Sequence, residues 1–122
     1  MNARSLLAAL SAGRLIVGLV MLFAPKVVGE RWFGVGGTTP ESSGLMRIGG
    51  VRDAAFGLGG LIAARSSADP RPWLAAGVIV DGTDAYATLT ADGVPGSNKA
   101  SAITVALGAA ATNAAGLLLS DD

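Results

Sequence analysis

The chain has 122 residues, 51% of them hydrophobic and 15% charged, where a typical soluble domain is roughly a quarter charged. Nine Lys and Arg balance nine Asp and Glu, and neither Cys nor His occurs. This removes the basic excess of a phosphate-backbone binder, so nucleic acid is not an expected partner. It also removes disulfides, thiolate nucleophiles, Cys/His metal sites and imidazole proton shuttles. With 18 glycines and 5% aromatics, a water-soluble core would have few large side chains to bury.

A helix crossing the hydrocarbon needs about 20 mainly apolar residues, and four stretches approach that length. The first, residues 5–24 (SLLAALSAGRLIVGLVMLFA), stops at Pro25-Lys26, a helix breaker followed by a charge. A turn-rich segment, FGVGGTTPESS, separates it from the second span, residues 44–64, with Thr38 and Glu41 spaced as a capping box around Pro40. SSADPRP follows, where Asp69 before Pro70 is a candidate N-cap for the third span, residues 73–91. DGVPGSN then leads to the fourth span, residues 100–119, with Ser97 as its candidate cap and no ionisable residue within it. Trp32, Phe33 and Trp73 fall at span ends, the level of a bilayer's headgroups.

Arg14 interrupts the N-terminal apolar run and no small-x-small pattern follows Phe23, so the first span reads as retained and not as a cleaved signal. A soluble bundle would need polar stripes on its outward faces; the fourth span offers only Ser101, Thr104, Thr112 and Asn113. The expected fold is all-α, a four-transmembrane-helix bundle with short loops, forming one membrane domain over residues 1–122 and lying in the inner membrane with lipid as its solvent. The basic residues flanking the spans tie, with Arg4, Arg65 and Arg71 on one side and Lys26, Arg31 and Lys99 on the other. Both termini are assigned to the cytoplasm because the first loop is the longest and mixes its basic residues with Glu30 and Glu41.

Six ionisable residues fall inside the spans: Arg14 in the first, Arg47, Arg52 and Asp53 in the second, and Asp81 and Asp84 in the third. Counted from one face at about 1.5 Å per residue, all but Arg47 lie roughly 12 to 18 Å deep. Arg47 sits near the opposite surface, where its long side chain can snorkel out. A lone charge at the helix centre costs on the order of 2.5 to 3.5 kcal/mol, so the expectation is an interhelical network in which Arg14 and Arg52 are bridged by the three aspartates. One carboxylate is then in excess and is the one place where a proton would be held.

Small residues share faces with these charges. Gly49, Asp53, Gly57 and Gly60 form one stripe, Ser11, Arg14 and Gly18 another, and Gly77 and Thr88 flank Asp81 and Asp84. On the fourth span Gly108, Ala109, Thr112, Asn113 and Gly116 form a face that either closes the bundle or docks a partner. For a chain this short the charges are expected mainly to set helix register, since the bundle offers little volume for a pathway of its own.

Gly34-Val35-Gly36-Gly37 and Gly57-Leu58-Gly59-Gly60 follow no strand and have no Lys at phosphate distance, so they read as loop and helix contact. Asp81-x-x-Asp84 has the carboxylate pair of a Mg²⁺ site, but the nearby arginines compete for it. No catalytic residue, metal or cofactor is expected, with a metal-dependent lipid-modifying enzyme as the least favoured of three functions.

The segments GRLIVGLVMLFAPKVVGERWFG (Gly13 to Gly34), RIGGVRDAAFGLGGLIAAR (Arg47 to Arg65) and WLAAGVIVDGTDAYATL (Trp73 to Leu89) resemble a family of small four-helix bacterial membrane proteins of actinobacterial type with no assigned activity. The resemblance rests on Arg14, Gly18, Ala24 and Pro25, on the Arg-x-x-Gly-x-Arg-Asp-x-x-x-Gly pattern at Arg47, Gly50, Arg52, Asp53 and Gly57, and on Asp81 and Asp84. It implies fold and location, and no reaction. The first functional expectation is an accessory subunit packing against larger integral membrane subunits of an envelope complex, a lipid transporter foremost. The second is a small homo-oligomeric transporter or proton-coupled channel that uses the Arg/Asp cluster.

Overall fold

A computed structural model describes residues 1–119; the acidic pair Asp121-Asp122 lies outside the described residues. The helices are α1 (Ala3–Phe23), α2 (Pro25–Phe33), α3 (Pro40–Ala64), α4 (Arg71–Thr90) and α5 (Gly96–Leu117), with a 3-10 turn at Gly34–Thr38. No strand occurs among the described residues. Pro25 ends α1 as expected but then serves as the first residue of α2, because its fixed φ and missing N–H suit a helix start. The first connection is therefore largely helical, where a loop was expected.

The start signals are only partly those anticipated. Thr39, and not Thr38, caps α3 by accepting the Ser42 amide at 3.1 Å, while the Thr38 hydroxyl donates to the Val35 carbonyl. α3 thus begins at Pro40, four residues before the apolar run. Pro95 occupies the N-cap of α5 and Ser97 lies inside that helix without capping it. Asp69 sits one position before the α4 cap but still accepts the Arg71 amide at 3.0 Å. Hydrogen bonds from the Arg71 side chain and backbone hold its carboxyl below the usual carboxylate range.

Two helices, α1 and α5, are long and apolar enough to cross a membrane by length and composition. Four such helices were expected; α3 and α4 have the length, but Glu41, Arg47, Arg52 and Asp53 on one and Arg71, Asp81 and Asp84 on the other make them less apolar. Only 22% and 28% of the apolar windows of α1 and α5 are buried within the chain, unlike the core helix of a soluble fold. Ile16, Leu19, Ile48, Ile62, Ile79 and Leu107 point outward.

The helices associate as two pairs, α1 with α3 and α4 with α5, running up and down so that both chain ends lie together. Glycine makes the first pair. A Cβ on Gly57 would stand 2.6 Å from the Ser11 carbonyl and the Leu15 amide, and one on Gly50 would stand 2.6 Å from the Gly18 carbonyl. Only hydrogen fits between backbones this close. Gly60 abuts the Ser11 side chain and Gly49 meets Met21. The sequence stripe missed Gly50, which meets the α1 backbone as closely as Gly57 does, because Gly49 beside it gave the better match to Asp53 and Gly57.

At the end carrying the termini the pairs close on Ala3, Leu7, Ala63, Ala64 and Leu74. Arg4 fastens this end by donating to the Ala63, Ser66 and Ala68 carbonyls at 3.2, 2.7 and 2.9 Å, satisfying groups that a helix C-terminus leaves open. At the other end Asn98 donates to the Glu30 and Arg31 carbonyls, both at 3.1 Å, and ties α5 to α2. Replacing Gly57 by Ala forces the α1–α3 backbones apart and is expected to cost about 1–3 kcal/mol in reversible unfolding in mixed micelles. Gly108, whose Cβ direction is open, should tolerate Ala with no loss or a gain up to about 1 kcal/mol.

Candidate functional site

Three helices bring the expected charges together. From α1 the Arg14 guanidinium donates through Nη2 to Asp81 Oδ2 on α4 at 2.8 Å, and its Nη1 lies 3.9 Å from Asp53 Oδ1 on α3. Arg52 Nη2 reaches Asp53 Oδ1 at 3.3 Å and Asp84 Oδ2 at 3.6 Å. The result is a chain, Asp81–Arg14–Asp53–Arg52–Asp84, of two cations and three anions. It has no like-charged neighbours in sequence along the chain of contacts, so each ion lies beside an opposite charge, which offsets the cost of removing it from water.

Asn113 extends the network. Its Nδ2 donates to Asp81 Oδ2 at 3.0 Å and to the Ala109 carbonyl at 2.9 Å, and its amide fills the space beside Gly77. The sequence placed Asn113 on a general packing face and gave no sign of this carboxylate contact, which depends on how α4 and α5 are rotated. Phe56 lies under Arg14, with the guanidinium carbon 4.9 Å from the ring centroid, a favourable cation–π geometry.

Arg47 stays outside this group. It is exposed and donates from Nε to the Leu22 carbonyl at 3.3 Å, next to the end of α1. The face expected on α5 divides: Asn113 and Gly116 turn inward, Gly116 against Leu6 and Leu74, while Gly108 is exposed and the Thr112 hydroxyl bonds back to the Gly108 carbonyl. A rotation of about 100° per residue puts residues 108 and 113 on different sides of a helix.

The network forms the floor of a cavity of about 620 Å³ between the two helix pairs, within the range of small-molecule sites. This is more space than the sequence suggested for so short a chain. Aliphatic side chains such as Val17, Met21, Leu45 and Val105 line its walls, and α2 covers it with Val28, Trp32 and Phe33. Trp32 is therefore half-buried on the cleft, and its Nε1 donates to Thr88 Oγ1 at 2.9 Å; Thr88 in turn donates to the Asp84 carbonyl. Most of the cleft lies in the half of the bundle opposite the termini, with Ala9, Leu10 and Gly13 carrying its lining past Arg14.

Exposure grades along the network. The Arg14 side chain is 11% exposed and that of Asp81 8%, whereas Asp84 is 33% and Arg52 54% exposed. Arg14 and Asp81 hold the helices, and Arg52 and Asp84 face the cleft. Among the described residues no group of three metal-ligating side chains occurs. Arg14→Met would leave Asp81 buried without its cation and is expected to cost about 3–5 kcal/mol in micelle unfolding; Arg14→Met with Asp81→Leu should recover most of that loss. No family model, curated protein or solved structure matches the chain.

Proposed function

We propose that the chain is a multi-pass inner-membrane protein of four spans, α1, α3, α4 and α5, that handles a lipid as an accessory subunit of a larger envelope transport complex. The observation that carries this reading is an apolar-walled cleft ending on charged groups. Such a site suits an amphipathic molecule, whose chains take the aliphatic walls and whose polar end takes the ions. The aliphatic residues on the outer surface of every long helix fit a lipid surround. Placing α3 and α4 in the membrane is affordable because their charges neutralise one another against α1.

The outward α5 surface around Gly108 supports the accessory part of the reading, since small residues allow another helix to approach closely. Purification in mild detergent followed by mass spectrometry is expected to recover the protein with larger integral membrane subunits. Gly108→Phe with Ala111→Phe should disperse them while leaving the bundle folded. Recovery of the chain only as itself would overturn the accessory role.

A second reading, a homo-oligomeric proton-coupled transporter, is favoured by the network's charge balance. Two arginines against three aspartates leave a formal charge of −1 at the floor of a one-sided cleft. Proton flux by the purified protein in liposomes, lost in Asp84→Asn, is the outcome that reading requires.

A further inference from the structure

Arg52 and Asp84 are the two most exposed members of the network, at 54% and 33% of their side-chain surface. A guanidinium carries five N–H donors and a carboxylate two acceptor oxygens. Among the described residues, Arg52 directs only Nη2 at protein acceptors, and Asp84 receives Arg52 only at Oδ2. Both residues line a cleft that is otherwise mostly aliphatic, and the Nε and Nη1 donors of Arg52 and the Oδ1 acceptor of Asp84 have no hydrogen-bond partner among the described residues. A positive donor group and a negative acceptor thus stand side by side, and what satisfies both is a molecule with an anion and an ammonium close together.

Depth agrees with a lipid headgroup. Asp84 lies six residues inside the end of α4 at Thr90, about 9 Å at 1.5 Å per residue. Arg52 lies five residues below Arg47, whose side chain meets Leu22 near the end of α1, or about 8 Å. Both are therefore within a short dip of the open end, above the sealed Arg14–Asp81 contact. The wall residues Val17, Met21, Leu45 and Val105 and the Trp32 and Phe33 rings beside them supply the surface for acyl chains.

We infer that Arg52 and Asp84 form a headgroup site for a zwitterionic phospholipid with a primary ammonium, phosphatidylethanolamine, with the phosphate on Arg52 and the ammonium on Asp84. This rests on the lipid-handling reading above and names its ligand. Charge balance sets the choice: three aspartates face two arginines, so a zwitterion brings the cation that the excess carboxylate lacks, while an anionic lipid brings none. Phosphatidylcholine has the same charges, but its quaternary ammonium has no N–H to donate to Asp84 Oδ1.

The test is native mass spectrometry of the full chain released from micelles holding equimolar dioleoyl phosphatidylethanolamine, phosphatidylcholine and phosphatidylglycerol. It is paired with quenching of Trp32 by brominated acyl chains in a Trp73→Phe background. The wild type is expected to retain phosphatidylethanolamine above the other two. Arg52→Gln and Asp84→Asn are each expected to lower its occupancy about tenfold, the scale of one charge-assisted hydrogen bond. Equal retention of the three lipids, with Trp32 still quenched, would overturn the headgroup assignment and leave a lipid cleft. No retained lipid and no quenching would overturn the lipid reading itself. The ranking in the wild type decides the matter even if a variant fails to fold.

Discussion

The Arg14–Asp81 contact is the constraint on which the arrangement depends. Each helix pair has its own means of association, glycine-mediated backbone approach in α1–α3 and the Asn113–Gly77 fit in α4–α5. The two pairs meet broadly only near the termini, around Leu7 and Leu74, so a 2.8 Å charge-assisted bond from α1 to α4 fixes their relation at mid-height. Its strength comes from burial. The same desolvation that makes an isolated ion costly makes separation of a buried pair costly.

The cleft follows from that constraint. Below Arg14 the helices converge on small residues and are stapled by Arg4. Above it the pairs are bridged by the longer Arg52–Asp84 contact and by α2, which is short and held through Asn98 and Trp32. A bundle sealed at one end and pinned at its middle has its space at the other end, so the same ions that bind the helices become the floor of the cavity. Structural and ligand-facing duties are then divided within one network: Asp81, Arg14 and Asp53 are enclosed, Arg52 and Asp84 are not.

Glycine usage has a similar double consequence. Gly18, Gly50 and Gly57 bring α1 and α3 so near that their backbones touch, which removes the need for large core side chains and explains how a chain with few aromatics packs at all. It also leaves the aliphatic residues of both helices free to face outward or into the cleft. Gly34 serves differently: its φ of 72° turns the chain out of α2 in a conformation that other residues rarely adopt.

Much of the site was legible in the sequence because ions within apolar runs are few and must find partners of opposite sign. Helical rise alone put Arg14, Arg52, Asp53, Asp81 and Asp84 at similar depth, and Arg47 away from them. Local signals at helix starts were less dependable: Thr38 and Thr39, or Ser97 and Pro95, compete within a few residues, and the difference between them is a matter of hydrogen-bond geometry. Helix rotation was hidden, which is why Asn113 and Gly108 were assigned one face and occupy two. By itself the sequence determined the helical character, the apolar segments and the need for charge pairing, since these depend on residue type and spacing along one chain. Which ions touch, which stay half exposed, and that the bundle opens at one end were decided only by tertiary packing, because they depend on distances between helices that no single helix encodes.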